Sequence, residues 1–355
     1  MLRCSALFNK LEPMKKVINV IIVLALLGAA GGGYVYYNWM LKSITQFDQD
    51  EVVVYVKTGT SYESFKDQLE ALDFKFPTGF DWLAQKKNLK SPIKGGKYRL
   101  KKGLSAADLI NKMRIGDAES VSVTFNNIRL KTELAGKIGA QIEADSMSII
   151  QLLNDGEFLS KYGMKKSNAM VLFIPNTYQF KWNTSAEELF DRMAQEFKTF
   201  WNEERLSKAK KIGLSQTEVA TLASLVEAEQ SKIKEEWPVI AGLYINRIHK
   251  GMKLQSDPTV VYAMQDFTIN RVLTEYTKID SPYNTYRYKG LPPGPIRLAD
   301  PRVMDAVLNY QRHNYYYMCA KGDGSFQHRF ANSYNEHLRN ARIYQQELNK
   351  AGIYR

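Results

Sequence analysis

Two cysteines and four histidines in 355 residues are too few for two whole classes of protein. Two thiols cannot staple a fold of this size, so a disulfide scaffold is excluded. The histidines, His249, His313, His328 and His337, are scattered and none belongs to a His-Glu-x-x-His pattern. A metal centre built on Cys and His is therefore not expected, and nothing in the chain calls for a cofactor. Low-complexity tails are missing too. What is present is apolar matter, 45% of residues, which is too much for a disordered chain and enough for a sizeable core. The length suggests two or three domains.

Charge is also scarce where it matters most. Val17 to Tyr37 is a run of 21 residues with no charge and one strongly polar side chain, Asn19. A helix of that length spans roughly 30 Å, the thickness of a hydrocarbon core. Arg3, Lys10, Lys15 and Lys16 precede it against Glu12 alone, and Lys42 is the one early cation after it. The positive-inside rule places residues 1–16 in the cytoplasm, an anchor at 17–40 in the bilayer, and the rest outside. Tyr34, Tyr36, Tyr37 and Trp39 sit where an outer aromatic belt belongs. A cleaved signal peptide is the rival reading, since Gly28-Ala29-Ala30-Gly31 resembles a cleavage region, but the apolar run continues past it. Met14-Lys15-Lys16 also reads like a natural start, with residues 1–13 as an extension. Without the residues preceding the run, the net charge of +12 falls to +9 on the exported part. That suits lipid headgroups and wall polymers and argues against nucleic acid, although diffuse positive charge is usually just a solvated surface. Cys4 and Cys319 fall on opposite sides of the membrane and cannot pair within one chain.

Beyond a polar link at 46–50, Glu51 to Val56 alternates and reads as a strand. Ser61 opens a helix with Phe65, Leu69 and Leu72 on one side, and Gly95-Gly96 turns into a strand at Lys97–Leu100. Ser105 caps a further helix ending near Gly116. The order β-α-α-β-α makes a small module. Val121 to Phe125 is a strand again, and Leu134, Ile138 and Ile142 mark a helix, a faint echo of the first module's opening. A long amphipathic helix carries Leu189, Phe190, Met193, Phe197 and Phe200, and two more helices fill Ser215 to Met252. After Gly251 the chain becomes loop-rich, with a strand at Tyr315 to Cys319.

Ser215-Gln216-Thr217-Glu218 fits a capping box, which gives Glu218 a structural task. At 100° per residue, Val219, Leu222, Leu225, Val226 and Ile233 fall on one arc. Glu229 falls near its middle, and Glu227 lies opposite, with Ala220 and Ala223. A carboxyl among apolar side chains resists ionisation, and a raised pKa suits a general acid. A salt bridge from Glu229 to Arg247, or a helix that stops before Glu229, would be the structural alternative.

The block Thr221-Leu222-Ala223-Ser224-Leu225-Val226-Glu227-Ala228-Glu229 resembles the signature of the endolytic murein transglycosylases, the MltG or YceG-like family. The likeness continues through Tyr244-Ile245-Asn246-Arg247-Ile248, the stretch Gly251 to Tyr262, Tyr283-Asn284-Thr285-Tyr286, and Gly290-Leu291-Pro292-Pro293-Gly294-Pro295-Ile296. It is strong from 219 to 296 and loose elsewhere. The resemblance implies an α+β fold: a single-pass anchor in the inner membrane, a LysM-like α/β module at 51–118, and a periplasmic catalytic domain at 119–355. It puts the catalytic acid on Glu229, the residue the helical face also selects. Two departures stand out. Pro175-Asn176-Thr177-Tyr178 replaces Pro-Asp-Thr-Tyr, so no acidic helper is assumed there. Ala228-Glu229-Gln230 replaces a commoner Lys-Glu-Thr, removing a hydroxyl.

One carboxylate suffices for the chemistry this resemblance implies. The acid protonates the oxygen between MurNAc and GlcNAc, then as a base takes the proton of the MurNAc C6 hydroxyl, which closes on the anomeric carbon. Gln255, Ser256, Asp257, Asn284 and Thr285 are candidate sugar-contact or acid-orienting residues, with Tyr283 and Tyr286 as flat faces for a sugar ring. Asp257 has a second reading as the cap of a helix beginning at Pro258. The expected partners are glycan strands and, through residues 17–40, the bilayer. A non-catalytic scaffold recruiting wall synthases and a true hydrolase using Glu218 or Asp257 are the competing functions.

Overall fold

The computed structural model describes residues 4–269 and 271–350, with side chains from Met14 onward. Arg3 and the side chains of Lys10 and Glu12, counted in the charge asymmetry, lie outside that description, as does the proposed extension's opening. The chain divides into two units, residues 1–121 with 181–183, and residues 122–180 with 184–355.

In the first unit a helix α1 (Cys4–Tyr36) runs into a π-helical turn (Tyr37–Leu41). Met14–Leu41 is long and apolar enough to cross a membrane and is not buried against the protein; a signal sequence passes the same test. The module that follows has the expected order: β1 (Glu51–Val56), α2 (Tyr62–Glu70), α3 (Phe80–Lys86), β2 (Gly96–Lys101) and α4 (Ala106–Ile115). The strands pair antiparallel, Glu51 opposite Lys101 and Val56 opposite Gly96. Ser61 and Ser105 cap their helices by accepting from Ser64 N and Asp108 N, and Gly116 ends α4 in the left-handed conformation. Val54, Val56, Phe65, Leu69, Tyr98 and Leu109 form the core. Leu72 lies past the end of α2 but still packs against that core. The Trp39 ring occupies the space above Gly79, where a Cβ would lie 2.1 Å from it. That contact ties the end of the long helix to α3.

The second unit begins with β3 (Ser120–Phe125), which pairs with β4 (Asn176–Lys181). Between them lie α5 (Lys131–Gly139), α6 (Ser146–Leu153) and α7 (Gly156–Ser160). Next come α8 (Ala186–Phe200), α9 (Glu203–Ile212), α10 (Gln216–Glu229), α11 (Trp237–His249), α12 (Asp257–Met264) and α13 (Pro301–Leu308). The chain ends with an antiparallel hairpin, β5 (Tyr317–Ala320) and β6 (His328–Ala331), and α14 (Tyr334–Lys350). The strand expected from Tyr315 thus starts at Tyr317, because Tyr315 and Tyr316 are spent on α11: their carbonyls accept from Asn246 and Arg247.

Helix α10 is the centre of this unit. Ser215 and Glu218 close a full capping box at its start. Every residue from Val219 to Val226 is buried, Thr221 and Ser224 included. The expected one-sided apolar face is therefore absent: neighbours α9, α11, α12 and α13 enclose the helix on all sides. Buried hydroxyls tolerate this because Thr221 donates to Thr217 O, and Ser224 donates to Thr221 O while accepting from Ile296 N. Ile233, counted on the expected face, lies beyond the helix end. Gly294 holds the proline-rich loop against the chain at Ser167, whose carbonyl oxygen would lie 2.0 Å from a Cβ there.

Candidate active site

Glu229 is the last residue of α10, and Gln230 breaks the helix in an extended conformation. That break is itself anchored. Gln230 is buried; its side-chain nitrogen donates to Glu236 Oε2 at 2.9 Å and to Phe326 O at 2.8 Å. Its side-chain oxygen accepts from Lys232 N and Ile233 N, and its carbonyl accepts from the Trp237 indole at 2.7 Å. Glu236 in turn accepts from His328 N at 2.8 Å and pairs with the His328 ring at 2.7 Å. The missing hydroxyl at 230 is thus replaced by an amide that fixes the turn after Glu229.

Two hydroxyls meet the Glu229 carboxyl. Tyr244, from α11, donates to Oε1 at 2.8 Å, and Ser256, just before α12, donates to the same oxygen at 2.5 Å. Oε2 has no protein hydrogen bond among the described residues. The side chain keeps some solvent contact, but the packing around the carboxyl strips most of its water. That burial pushes its pKa up; the bonds from Ser256 and Tyr244 pull it back, and the nearby Asp257 charge adds to the rise. Burial and the Glu229 charge drive the Tyr244 phenol well above its ordinary range, so it stays a donor. Arg247, also buried, is committed to the carbonyls of Tyr316 and Leu254 at 2.6 Å each and does not bridge to Glu229. The helix therefore does not stop before Glu229, and Glu229 does not sit in an ion pair with Arg247, the two structural alternatives.

Glu227 has a different setting. It accepts from Asp300 N at 2.9 Å and faces Arg297 at 3.5 Å. It braces the start of α13. Burial raises its pKa and the Arg297 charge opposes that.

The Glu229 cleft, about 240 Å³, is lined by Tyr244, Arg247, Gln255, Asp257, Tyr286 and His328 among others. Gln255 is exposed with φ 50°, its N–H held by Thr285 O. Asp257 does not cap its helix as expected; α12 starts one residue earlier than Pro258, and the carboxylate accepts from the Tyr286 hydroxyl at 2.5 Å. Ser256 is fully buried, its N–H on Thr285 Oγ1. Asn284 and Thr285 are buried too and shape the site from behind. Asn284 donates to Thr277 O and Ile279 O, and Thr285 Oγ1 meets Thr259 Oγ1 at 2.8 Å. Tyr283 lies elsewhere, its ring against Tyr262 at 4.8 Å in a separate cavity. Sequence reasoning passed over Tyr244 and His328 as site members. A phenol within the apolar run of α11 was the available signal for the first; nothing local marks the second.

A model of the YceG-like family matches residues 54–343. The chain belongs to the YceG-like family. It is 28% identical to an endolytic murein transglycosylase of Bacillus subtilis, covering 83% of this chain and 85% of that one. It is 29% identical to an endolytic murein transglycosylase of Streptococcus pneumoniae, covering 91% of this chain and 64% of that longer one. The crystal structure of a yceG-like protein from Listeria monocytogenes superimposes with a TM-score of 0.53 at 23% identity, over 82% of this chain and 98% of that one. That likeness concerns the YceG-like fold, which is the mixed α+β arrangement described above.

Proposed function

We propose that this YceG-like protein is a membrane-anchored endolytic murein transglycosylase that cuts the MurNAc–GlcNAc β-1,4 bond within glycan strands. The observation that carries the reading is the Glu229 carboxyl in the wall of the cleft: pKa raised by burial, one oxygen held by two hydroxyls, the other without a protein hydrogen bond among the described residues. Protonated Glu229 gives its proton to the glycosidic oxygen as the C1–O4 bond breaks. The MurNAc O6 then bonds to C1 and returns its proton to Glu229, leaving a 1,6-anhydro end and an unchanged enzyme. The attacking hydroxyl is tethered to the ring it closes on, so no water is activated and no second carboxylate is needed. Ser256 and Tyr244 favour the carboxylate that forms midway. They oppose the rise in pKa that burial causes.

Relatives named as murein transglycosylases support the substrate class. A hydrolase would need a second carboxylate to activate water. Glu218 is consumed by its capping box, and Asp257 is bound to Tyr286. In this reading Met14–Leu41 is an uncleaved anchor in the cytoplasmic membrane, and residues 42–355 face the wall. The module at 51–118 is LysM-like and follows the anchor and precedes the catalytic domain in the sequence. Incubating glycan strands with the protein and with Glu229→Gln tests the reading: cleavage by the first and none by the second is expected, and cleavage by both would overturn it.

A further inference from the structure

The Glu229 cleft does not end at Asp257. That residue also lines a second cavity of about 260 Å³, whose wall carries Arg129, Arg271 and Arg297. Tyr262 links this cavity to a third of about 710 Å³, largely apolar, with Lys131 and Lys166 at its edge. Asp257 is common to the first two cavities and Tyr262 to the last two, so the three adjoin in a row, a segmented trough with the acid at one end.

Its middle section is rich in unspent positive charge. Arg129 is exposed, lies over the Phe267 ring at 4.9 Å, and has no carboxylate partner among the described residues. Arg271 is exposed and likewise has none. Arg297 is mostly buried; it faces Glu227 at 3.5 Å, bonds the Asn127 amide oxygen, and leaves its Nε buried with no hydrogen-bond partner. Two carboxylates bear on the section, Asp257 in its wall and Glu227 behind Arg297. The first is held by Tyr286, and the second is divided between Arg297 and Asp300 N. Three guanidiniums with two committed carboxylates leave an excess of donors suited to planar, two-oxygen acceptors.

We propose that this arginine section binds a carboxylate carried by the muramyl residue of the bound strand. The inference rests on the glycan-cleaving reading above and adds to it what the trough recognises beside the sugars. Along such a strand the anionic groups are those hanging from MurNAc C3: the acidic groups of an attached peptide, or the lactyl carboxylate where the peptide has been removed. An attached peptide would run on toward Tyr262 and the apolar third cavity, with Lys131 and Lys166 beside it. Charge-assisted Arg–carboxylate bonds then position the ring whose glycosidic oxygen Glu229 protonates and whose O6 closes on C1.

The test uses the full chain carrying Glu229→Gln, so that binding is read without cleavage. Dissociation constants are measured by calorimetry on three strands: peptide-bearing, peptide-stripped with free lactyl carboxylate, and stripped with that carboxylate converted to a methylamide. Adding Arg129→Gln and Arg271→Gln, both at exposed positions, is expected to weaken binding about ten-fold on at least one carboxylate-bearing strand and to leave the methylamide strand within two-fold. A loss confined to peptide-bearing strands names the peptide as the source; a loss confined to free lactyl strands names the lactyl group. Lys210→Gln with Lys211→Gln removes the same charge outside the trough and is expected to change none of the three. Equal losses on all three strands, no loss on any, or equal losses from the lysine pair overturn the proposal. Cleavage by the protein with Glu229 intact is assayed in parallel, so a failed anion site and a failed glycan reading give different results.

Discussion

Ser256 Oγ donates to Glu229 Oε1 at 2.5 Å across 27 positions of sequence, joining the end of α10 to the start of α12. The bond stabilises the charged carboxylate, as the Tyr244 hydroxyl does, and both work against the burial that raises the pKa. Removing either donor should therefore move the pKa further up. Ser256→Ala and Tyr244→Phe are each expected to shift the basic limb of the kcat/KM profile to higher pH, because the proton-donating form persists longer. Each should lower kcat about ten- to a hundred-fold, since the proton-donating step loses a hydrogen bond that stabilises the carboxylate it forms. Profiles that keep the same limb would disconnect these hydroxyls from the acid.

The two glutamates of α10 should separate cleanly. Glu229→Gln keeps volume and can still accept from Ser256 and Tyr244, but has no acidic proton; activity should fall at least about a thousand-fold. Glu227→Gln keeps its acceptor for Asp300 N and loses its charge toward Arg297, so most activity should survive with modest destabilisation. If Glu227→Gln were the inactive variant, the assignment of Glu229 would be wrong.

Glu229 also makes a stability prediction. Its folded-state pKa lies above the unfolded value, so the native state binds the proton more tightly. That contribution is full at pH below the unfolded value near 4.5 and is lost as pH rises through the folded one. Glu229→Gln removes the buried charge, and its melting temperature should exceed the parent's at neutral pH. The gap should close on acidification. A gap that widens toward low pH would show that the carboxyl is not destabilised by burial.

The first module was legible in its order because local signals set its ends: alternation in β1, serine caps at 61 and 105, and Gly116. Glu229 was also selected, but through a face that does not exist, since α10 is buried all round. What sets Glu229 apart is the break at Gln230 and two hydroxyls from distant segments, neither visible in helical spacing. Asp257 was read as a cap because Pro258 follows it; its bond to Tyr286 spans 29 positions and only the fold reveals it. Tyr283 neighbours Tyr286 in sequence yet faces another cavity, because the turn at 281–288, held by Asn284, sends the two rings apart.

The Gln230–Glu236–His328 cluster is expected to hold the turn behind the acid. Glu236→Ala would leave one N–H of the Gln230 amide and the His328 backbone N–H without their acceptor, at about 1–3 kcal/mol for each buried group that finds no water. Denaturant unfolding should report that loss, with a fall in kcat larger than any change in KM. Glu236→Gln, which retains an acceptor, should recover much of the stability. Equal losses from both variants would mean that the carboxylate's charge, not its hydrogen bonding, supports the turn.

The product separates the competing functions most directly. A tethered O6 attack gives fragments ending in anhydro-MurNAc, lighter by one water than a reducing end. That outcome is expected because the Glu229 carboxyl in the cleft wall has its pKa raised by burial, as a proton donor needs, while Asp257 accepts from Tyr286. A hydrolase would leave reducing ends, and these would carry heavy oxygen if digestion were run in labelled water. A binding scaffold would generate no new ends. Mass spectrometry of fragments made in labelled water therefore reads all three at once. Labelled reducing ends would defeat the transglycosylase reading even if Glu229 proved essential, and Asp257, freed from Tyr286 by bound substrate, would become the group to test as the activator of water.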